Sequence, residues 1–327
     1  MPAITIAPID SKVFGAVVTG VKLPTLRDDE FTQIHAAFLQ YGFLVFPDQH
    51  LTDQENIAFG ERFGELEFGA LSISNQKKIE DGSGGKIYDL KTQRMRTNVG
   101  NEAWHTDSTY MPVSSKCALL SAVTVPEEGG ETELADTRSA YAALGQATKD
   151  RIENLSAYHS TQYSQANDIG DFPPQKEGTI YHGEAYLRPL VKTHSETGVK
   201  SLFIGRHAFG IPGLTRDESR ALLQDLLAFV ESDPRRVYKH NWQVGETLIW
   251  DNRALLHRAQ PYDYAQARVM TATRVKGDPE HELAYYPADP AAQAGRDALN
   301  AELDELRREA KDKLFEGSTS AGKKGSA

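Results

Sequence analysis

A chain of 327 residues with 36 basic and 46 acidic side chains has a formal net charge of −10, which argues against nucleic acid or an anionic membrane surface as a partner. Cys117 is the only cysteine, so no internal disulfide can form, and no apolar run is long enough to span a bilayer. This length suits one large domain or two ordinary ones, burying roughly three quarters of the unfolded surface without covalent staples. The N-terminal stretch has no basic segment ahead of an apolar one, so the cytoplasm is the expected location.

Val13 to Val21 alternates around Gly15 and Gly20 and predicts a short strand or hairpin. Asp28 to Tyr41 predicts a helix with Phe31, Ile34, Phe38 and Tyr41 on one face and Gly42 as its stop. Phe43 to Phe46 predicts a buried strand ended by Pro47. Thr52 and Glu55 form a capping box for a helix to about Phe63. Residues 70–103 are polar and Gly-rich, predicting a long loop with a strand near Ile87 to Leu90.

From His105 onward the pattern is strand-rich. Ala118 to Val125 and Thr132 to Ala135 predict strands separated by a Gly129-Gly130 turn, and Ser139 to Leu144 a short helix. Residues 160–190 predict a loop beside an active site. Thr215 and Glu218 cap a helix that ends at Asp233-Pro234 and presents Leu222, Leu223, Leu226, Leu227 and Val230 to a core. Thr247 to Trp250 and Arg268 to Val275 predict two further strands. Without regular strand–helix alternation, this order suits a mainly β jelly roll with flanking helices. Residues 291–315 predict a helix with Leu299, Leu303, Leu306 and Ala310 along a narrow seam, which suits docking on its own domain or a dimer contact. The expected organisation is a domain over 1–280, a helical extension over 281–316 and a disordered tail over 317–327.

The chemistry centres on His105 and Asp107. Their one-residue gap would place both side chains on one side of a strand, close enough to grip one ion. His257 is the candidate third ligand, following a Trp250-Asp251-Asn252 strand end. Two His and one carboxylate on one face of an octahedron is the non-haem Fe(II) oxygenase arrangement. Trp104 is placed to shield one side of the metal. Arg268, predicted to point into a barrel, needs an anion: an internal carboxylate or a carboxylate cosubstrate, with Thr132 as a hydroxyl donor to the same group.

These stretches, WHTDSTY (104–110), VPEEGGETELADTRSAYAAL (125–144) and LIWDNRALLHRAQPYDYAQARVMTATR (248–274), with FGAVVTGVKL (14–23), resemble the taurine dioxygenase/TfdA family of Fe(II)- and 2-oxoglutarate-dependent dioxygenases over roughly residues 10 to 277. The resemblance implies a double-stranded β-helix (cupin-like) core. It implies His105, Asp107 and His257 as iron ligands, Thr132 and Arg268 as the clamp on the distal carboxylate of 2-oxoglutarate, and Asn101 on the substrate side. It implies hydroxylation with dioxygen, releasing succinate and CO2, with cleavage where the attacked carbon bears oxygen, nitrogen or sulfur. Asp107 favours hydroxylation, since related halogenases replace this carboxylate with a small residue.

The family's second, substrate-binding arginine would stand at Ala272. Arg274 lies on the same strand face by period two. The taurine-binding His and Tyr have no counterparts around Glu65 to Ala70, so a TfdA-like substrate is expected over taurine. That substrate is larger, neutral near Ala272, or anchored by Arg274. The competing reading is a jelly-roll metal protein without oxygenase activity, such as a cupin-like isomerase or ligand sensor. The expected partners are a small-molecule substrate and a further copy of the chain in a homo-oligomer.

Overall fold

The structure, a computed structural model, describes residues 3–78, 84–285 and 290–321. The core strands are β1 (Thr5–Pro8), β2 (Ala16–Thr19), β3 (Phe43–Phe46), β4 (Leu66–Ser74), β5 (Ser115–Thr124), β6 (Thr132–Asp136), β7 (Val237–His240), β8 (Thr247–Asp251), β9 (Leu255–Ala259) and β10 (Val269–Lys276). They form a seven-stranded sheet in the order β1-β2-β3-β8-β5-β10-β4 and a three-stranded sheet in the order β7-β6-β9. Only β2 and β3 pair in parallel within these two sheets. This is the jelly-roll, double-stranded β-helix arrangement, mainly β with helices on its flanks.

Period two explains why β3 and β8 read as unbroken apolar runs. Phe43, Val45, Leu248 and Trp250 pack inward with Leu134 and Leu255 of the small sheet. Leu44, Phe46 and Ile249 point the other way, against Ile34, Phe38 and Phe59. Those outer residues belong to α1 (Asp28–Tyr41) and α2 (Asp53–Glu61), so both faces of the large sheet are covered. Each such Leu or Phe contributes about 1.5–3 kcal/mol on full burial. Thr52 and Glu55 form the predicted capping box, and Gly42 ends α1 at φ 80°, a conformation that favours glycine.

The expected loop at 70–103 is largely structured. β4 pairs with β10, short strands Gln76–Lys78 and Gly84–Ile87 form a hairpin, and Thr92 caps α3 (Gln93–Gly100). Residues 79–83 of that stretch lie outside the described residues. β4 escapes sequence reading because its pairing partner lies some two hundred residues away and its own faces are only half-buried. Likewise 160–190 contains the helix Thr161–Ser164, a π-helical turn Gln165–Ile169 and the strand Tyr186–Pro189.

On the far side of the small sheet, α4 (Arg216–Glu231) packs Leu222, Leu226 and Val230 against Ala135 and Leu256. The last helix, α5 (Pro290–Ala321), docks Leu299, Leu303 and Leu306 on Tyr163, Ala185 and Phe209 of the same chain. Arg216 of α4 ties to it through Glu302 at 2.8 Å and Glu309 at 2.6 Å. The expected boundary at 280/281 falls within the short helix Pro279–Glu282, whose buried Glu282 pairs with Lys192 at 2.8 Å. The expected tail from 317 starts inside α5, and residues 322–327 lie outside the described residues.

Candidate metal centre

The two sheets enclose a cavity of about 1030 Å³. Phe68, Leu71 and Ile73 of β4, Ala118 and Leu120 of β5 and Ala272 of β10 form one apolar wall. Thr132 of β6 and His257 of β9 come from the other sheet, and α3 with residues 177–186 close the rim.

His105, Asp107 and His257 meet on this cavity, all buried, with one ligand atom from each lying within 4.8 Å of the others. The pair is not in a regular strand. His105 forms a single isolated bridge with His257, and the chain turns at Asp107 and Ser108, where Ser108 has φ 55°. In the bridge, His105 N–H donates to His257 C=O at 3.0 Å and His257 N–H donates to His105 C=O at 2.8 Å. Residues that exchange both backbone bonds stand directly opposite each other. Their imidazoles follow, with ring centroids 4.1 Å apart.

The ligands are held from behind. His105 Nδ1–H donates to Ala103 C=O at 2.8 Å, which leaves Nε2 as the ligand atom. Burial pushes the His105 imidazole well below its usual pKa and that of His257 down to about 4, so both are neutral, the metal-ligating form. Burial alone would raise the Asp107 carboxyl, but the Arg274 guanidinium beside it outweighs burial and holds it below the usual range. Asn252 donates from Nδ2 to Asp107 Oδ2 at 3.3 Å, and its Oδ1 accepts from Trp250 Nε1 at 3.0 Å. Two neutral imidazoles and one fixed carboxylate suit a divalent transition metal.

Trp104 does not shield this site. Adjacent residues in extended chain point to opposite faces, so with His105 facing the cavity Trp104 faces α4. There its indole donates to Glu231 at 2.7 Å and lies under the Arg258 guanidinium. Trp250 shields the centre instead, its ring 4.6 Å from that of His257.

Arg268 and Thr132 both line the cavity and are buried. Arg268 Nε donates to Gly130 C=O at 2.9 Å, while Nη2 has no hydrogen-bond partner among the described residues. Gly130 sits at φ 70° with the Arg268 chain in the space a Cβ would need, so glycine lets the arginine lie flat on the turn. Thr132 Oγ1 accepts from Trp242 Nε1 at 3.0 Å and keeps its own proton free to donate. The pair is a ready-made anion clamp.

Of the expected substrate-side residues, Asn101 and Ala272 line the cavity. Arg274 lines it too, but its guanidinium is already committed to Asp107 at 2.6 Å and to Ser108 Oγ at 3.0 Å. Sequence reading missed Arg206. It follows no motif, yet it lines the cavity, pairs through Nε with Asp168 at 2.7 Å and leaves Nη2 without a hydrogen-bond partner among the described residues. Gly100 has no room for a Cβ, because the Arg206 guanidinium lies against it. Asn252 was also missed; its place directly after the Trp-Asp strand end was the available signal.

Comparison with known proteins agrees with this geometry. The family described as taurine catabolism dioxygenase TauD, TfdA family, matches residues 5–274. The (S)-phenoxypropionate/alpha-ketoglutarate-dioxygenase of Sphingobium herbicidovorans is 49% identical over 288 residues, covering 86% of this chain and 98% of its own. The alpha-ketoglutarate-dependent 2,4-dichlorophenoxyacetate dioxygenase of Cupriavidus pinatubonensis is 34% identical, covering 78% and 92%. The crystal structure of AAD-2 in complex with Mn(II) and N-oxalylglycine superposes with a TM-score of 0.78 at 36% identity, covering 84% of this chain and 98% of that one. The reading as a jelly-roll protein without oxygenase activity gives way. The chain belongs to the TauD/TfdA family and is a 2-oxoglutarate-dependent dioxygenase that hydroxylates a small organic substrate.

Proposed function

We propose that the metal is Fe(II), held by His105, Asp107 and His257, and that the substrate is a 2-aryloxyalkanoate of the phenoxypropionate type. The carrying observation is that Arg268 and Arg206 line one cavity and each leaves Nη2 without a hydrogen-bond partner among the described residues. The proposed reaction brings two acids to this cavity: 2-oxoglutarate and an anionic substrate. Arg258 is paired with Glu133 at 2.7 Å, and Arg274, whose Nε also lacks a partner among the described residues, gives both terminal nitrogens to Ser108 and Asp107, so neither competes for that role.

In this reading Arg268 and Thr132 hold the distal carboxylate of 2-oxoglutarate. Arg206, steadied by Asp168, takes the substrate carboxylate, and the apolar wall of Phe68, Leu71 and Ile73 takes the aryl ring. Asn101 and Ala272 border the substrate's path. Bound iron would supply dioxygen activation coupled to decarboxylation of 2-oxoglutarate. Hydroxylation of the carbon bearing the ether oxygen gives a hemiketal that collapses to a phenol and a 2-oxo acid. The names of the relatives, phenoxypropionate and 2,4-dichlorophenoxyacetate dioxygenases, support this class.

Anaerobic Fe(II) and 2-oxoglutarate should produce a visible charge-transfer band. With air, both enantiomers of 2-phenoxypropionate are then assayed for phenol and succinate. Arg206→Met should raise the KM for the acid at least tenfold. Phenol release by neither enantiomer, or an unchanged KM in the variant, overturns the substrate assignment. The chain is further proposed to act in the cytoplasm as a homo-oligomer, which light scattering tests; no described helix is long and apolar enough to cross a membrane.

A further inference from the structure

Asp107 presents its two oxygens to different partners. Oδ2 faces His257 Nε2 at 3.6 Å and accepts from Asn252. Oδ1 accepts from Arg274 Nη2 at 2.6 Å. Oδ2 is thus the oxygen turned toward His257, and Oδ1 the one turned toward Arg274.

The arginine has little freedom to let go. Its guanidinium lies over the Phe68 ring at 4.8 Å, and Nη1 donates to Ser108 Oγ at 3.0 Å. Ser108 Oγ in turn donates to Glu67, whose oxygens lie 2.7 and 2.8 Å away. One hydroxyl thus accepts from the arginine and gives its proton to the glutamate. The chain Glu67–Ser108–Arg274–Asp107 is closed by hydrogen bonds of consistent polarity. It fixes the turn that follows the first two ligands, where Ser108 takes a positive φ.

We infer that Arg274 is a positioning residue that confines Asp107 to one-oxygen ligation and so keeps open the metal position that the second oxygen would otherwise fill. The count of positions shows why this matters. A six-coordinate metal with two imidazoles and a one-oxygen carboxylate has three sites left. The keto acid end of 2-oxoglutarate needs two and dioxygen one. A carboxylate gripping through both oxygens would leave two, and one reactant would be shut out. In this chain the cation that could have bound substrate two residues earlier, at Ala272, instead stands at 274 against the metal ligand.

The inference rests on the metal reading above, and its test separates the two. Mn(II) binding to the full chain is measured by the EPR signal of the free ion, which needs no turnover. Failure of the parent protein to bind Mn(II) at all would refute the metal centre itself. If the parent binds, Arg274→Gln should bind Mn(II) at least as tightly as the parent, because the freed oxygen adds a bond to the metal and a neighbouring cation is gone. With Fe(II) and 2-oxoglutarate under argon, the same variant should lose the visible charge-transfer band, because the second oxygen competes with the keto acid. Arg274→Lys keeps the charge without the planar fork and should need at least tenfold more 2-oxoglutarate than the parent to give the band. It carries the test if the Gln variant does not fold. A folded variant that binds Mn(II) more than threefold more weakly than the parent, or that gives the band at the parent's 2-oxoglutarate concentration, overturns the inference.

Discussion

Replacing Arg268 by methionine should strengthen the fold while disabling the site. Arg268 is 6% exposed; its guanidinium donates from Nε to Gly130 and leaves Nη2 without a hydrogen-bond partner among the described residues. Burial pulls its pKa down, against the opposing pull of Tyr262 and Glu131. An unsatisfied buried donor costs about 1–3 kcal/mol, and methionine fills similar volume with no such donor. The metal-free protein should therefore gain on the order of 1 kcal/mol and melt about 2 °C higher. Binding moves the other way. Two charge-assisted bonds to a carboxylate, at about 1.5–3 kcal/mol each, are lost, and Thr132 alone remains. A loss of about 3–6 kcal/mol weakens 2-oxoglutarate binding by roughly 10²- to 10⁴-fold. Calorimetric titration of 2-oxoglutarate into the Mn(II) form gives the affinity, and a thermal melt of the metal-free form gives the stability. A variant that melts lower and still binds 2-oxoglutarate within tenfold of the parent would refute the argument, because the arginine would then be a structural cation with a satisfied partner.

The two imidazoles give a proton-counting prediction. At pH 6, two ordinary histidines of pKa near 6.5 would release about 1.5 protons to a metal. With His257 near 4 and His105 well below its usual value, Mn(II) titrated into two buffers of different ionisation heat at pH 6 should release fewer than about 0.3 protons. The same depression has a stability consequence for the metal-free protein. The unfolded chain binds more protons between pH 6.5 and 4, so stability is full above that window and falls as the pH drops through it, visible as a lower urea midpoint. Asn252→Leu removes the donor to Asp107 Oδ2 and the acceptor for Trp250, and should weaken Mn(II) binding about tenfold or more in the same EPR titration. Leu303→Ala, at a position 3% exposed on the docked face of α5, should cost about 2–5 kcal/mol in chemical denaturation if the docked helix unfolds with the body.

Much of the site was legible because its signals are local. His105 and Asp107 stand two residues apart and reach one site, although a bridge and a turn rather than a strand carry them, and Thr52–Glu55 and Thr215–Glu218 mark helix starts by capping chemistry within four residues. The face that Trp104 takes was legible too, since a neighbour of a cavity-facing residue must face away; the expectation of a shield beside the metal set that rule aside. Arg274 illustrates the other limit. Its strand and its face followed from period two, but its partner is Asp107, 167 residues distant, and no periodicity reports that contact. Arg206 sits just past a short strand with no motif around it, and only the closed fold brings it to the cavity.

The paired backbone bonds between His105 and His257 mean that main-chain hydrogen bonding, rather than an ion, sets these two imidazoles against each other. Such a site does not select its metal by folding around it. The natural order of affinity for nitrogen and oxygen ligands rises from manganese through iron to copper, with zinc also above iron. A rigid vessel of neutral imidazoles thus accepts zinc or copper more tightly than Fe(II). Which metal the protein carries is decided by what its surroundings supply, and traces of zinc in a preparation should silence it without unfolding it.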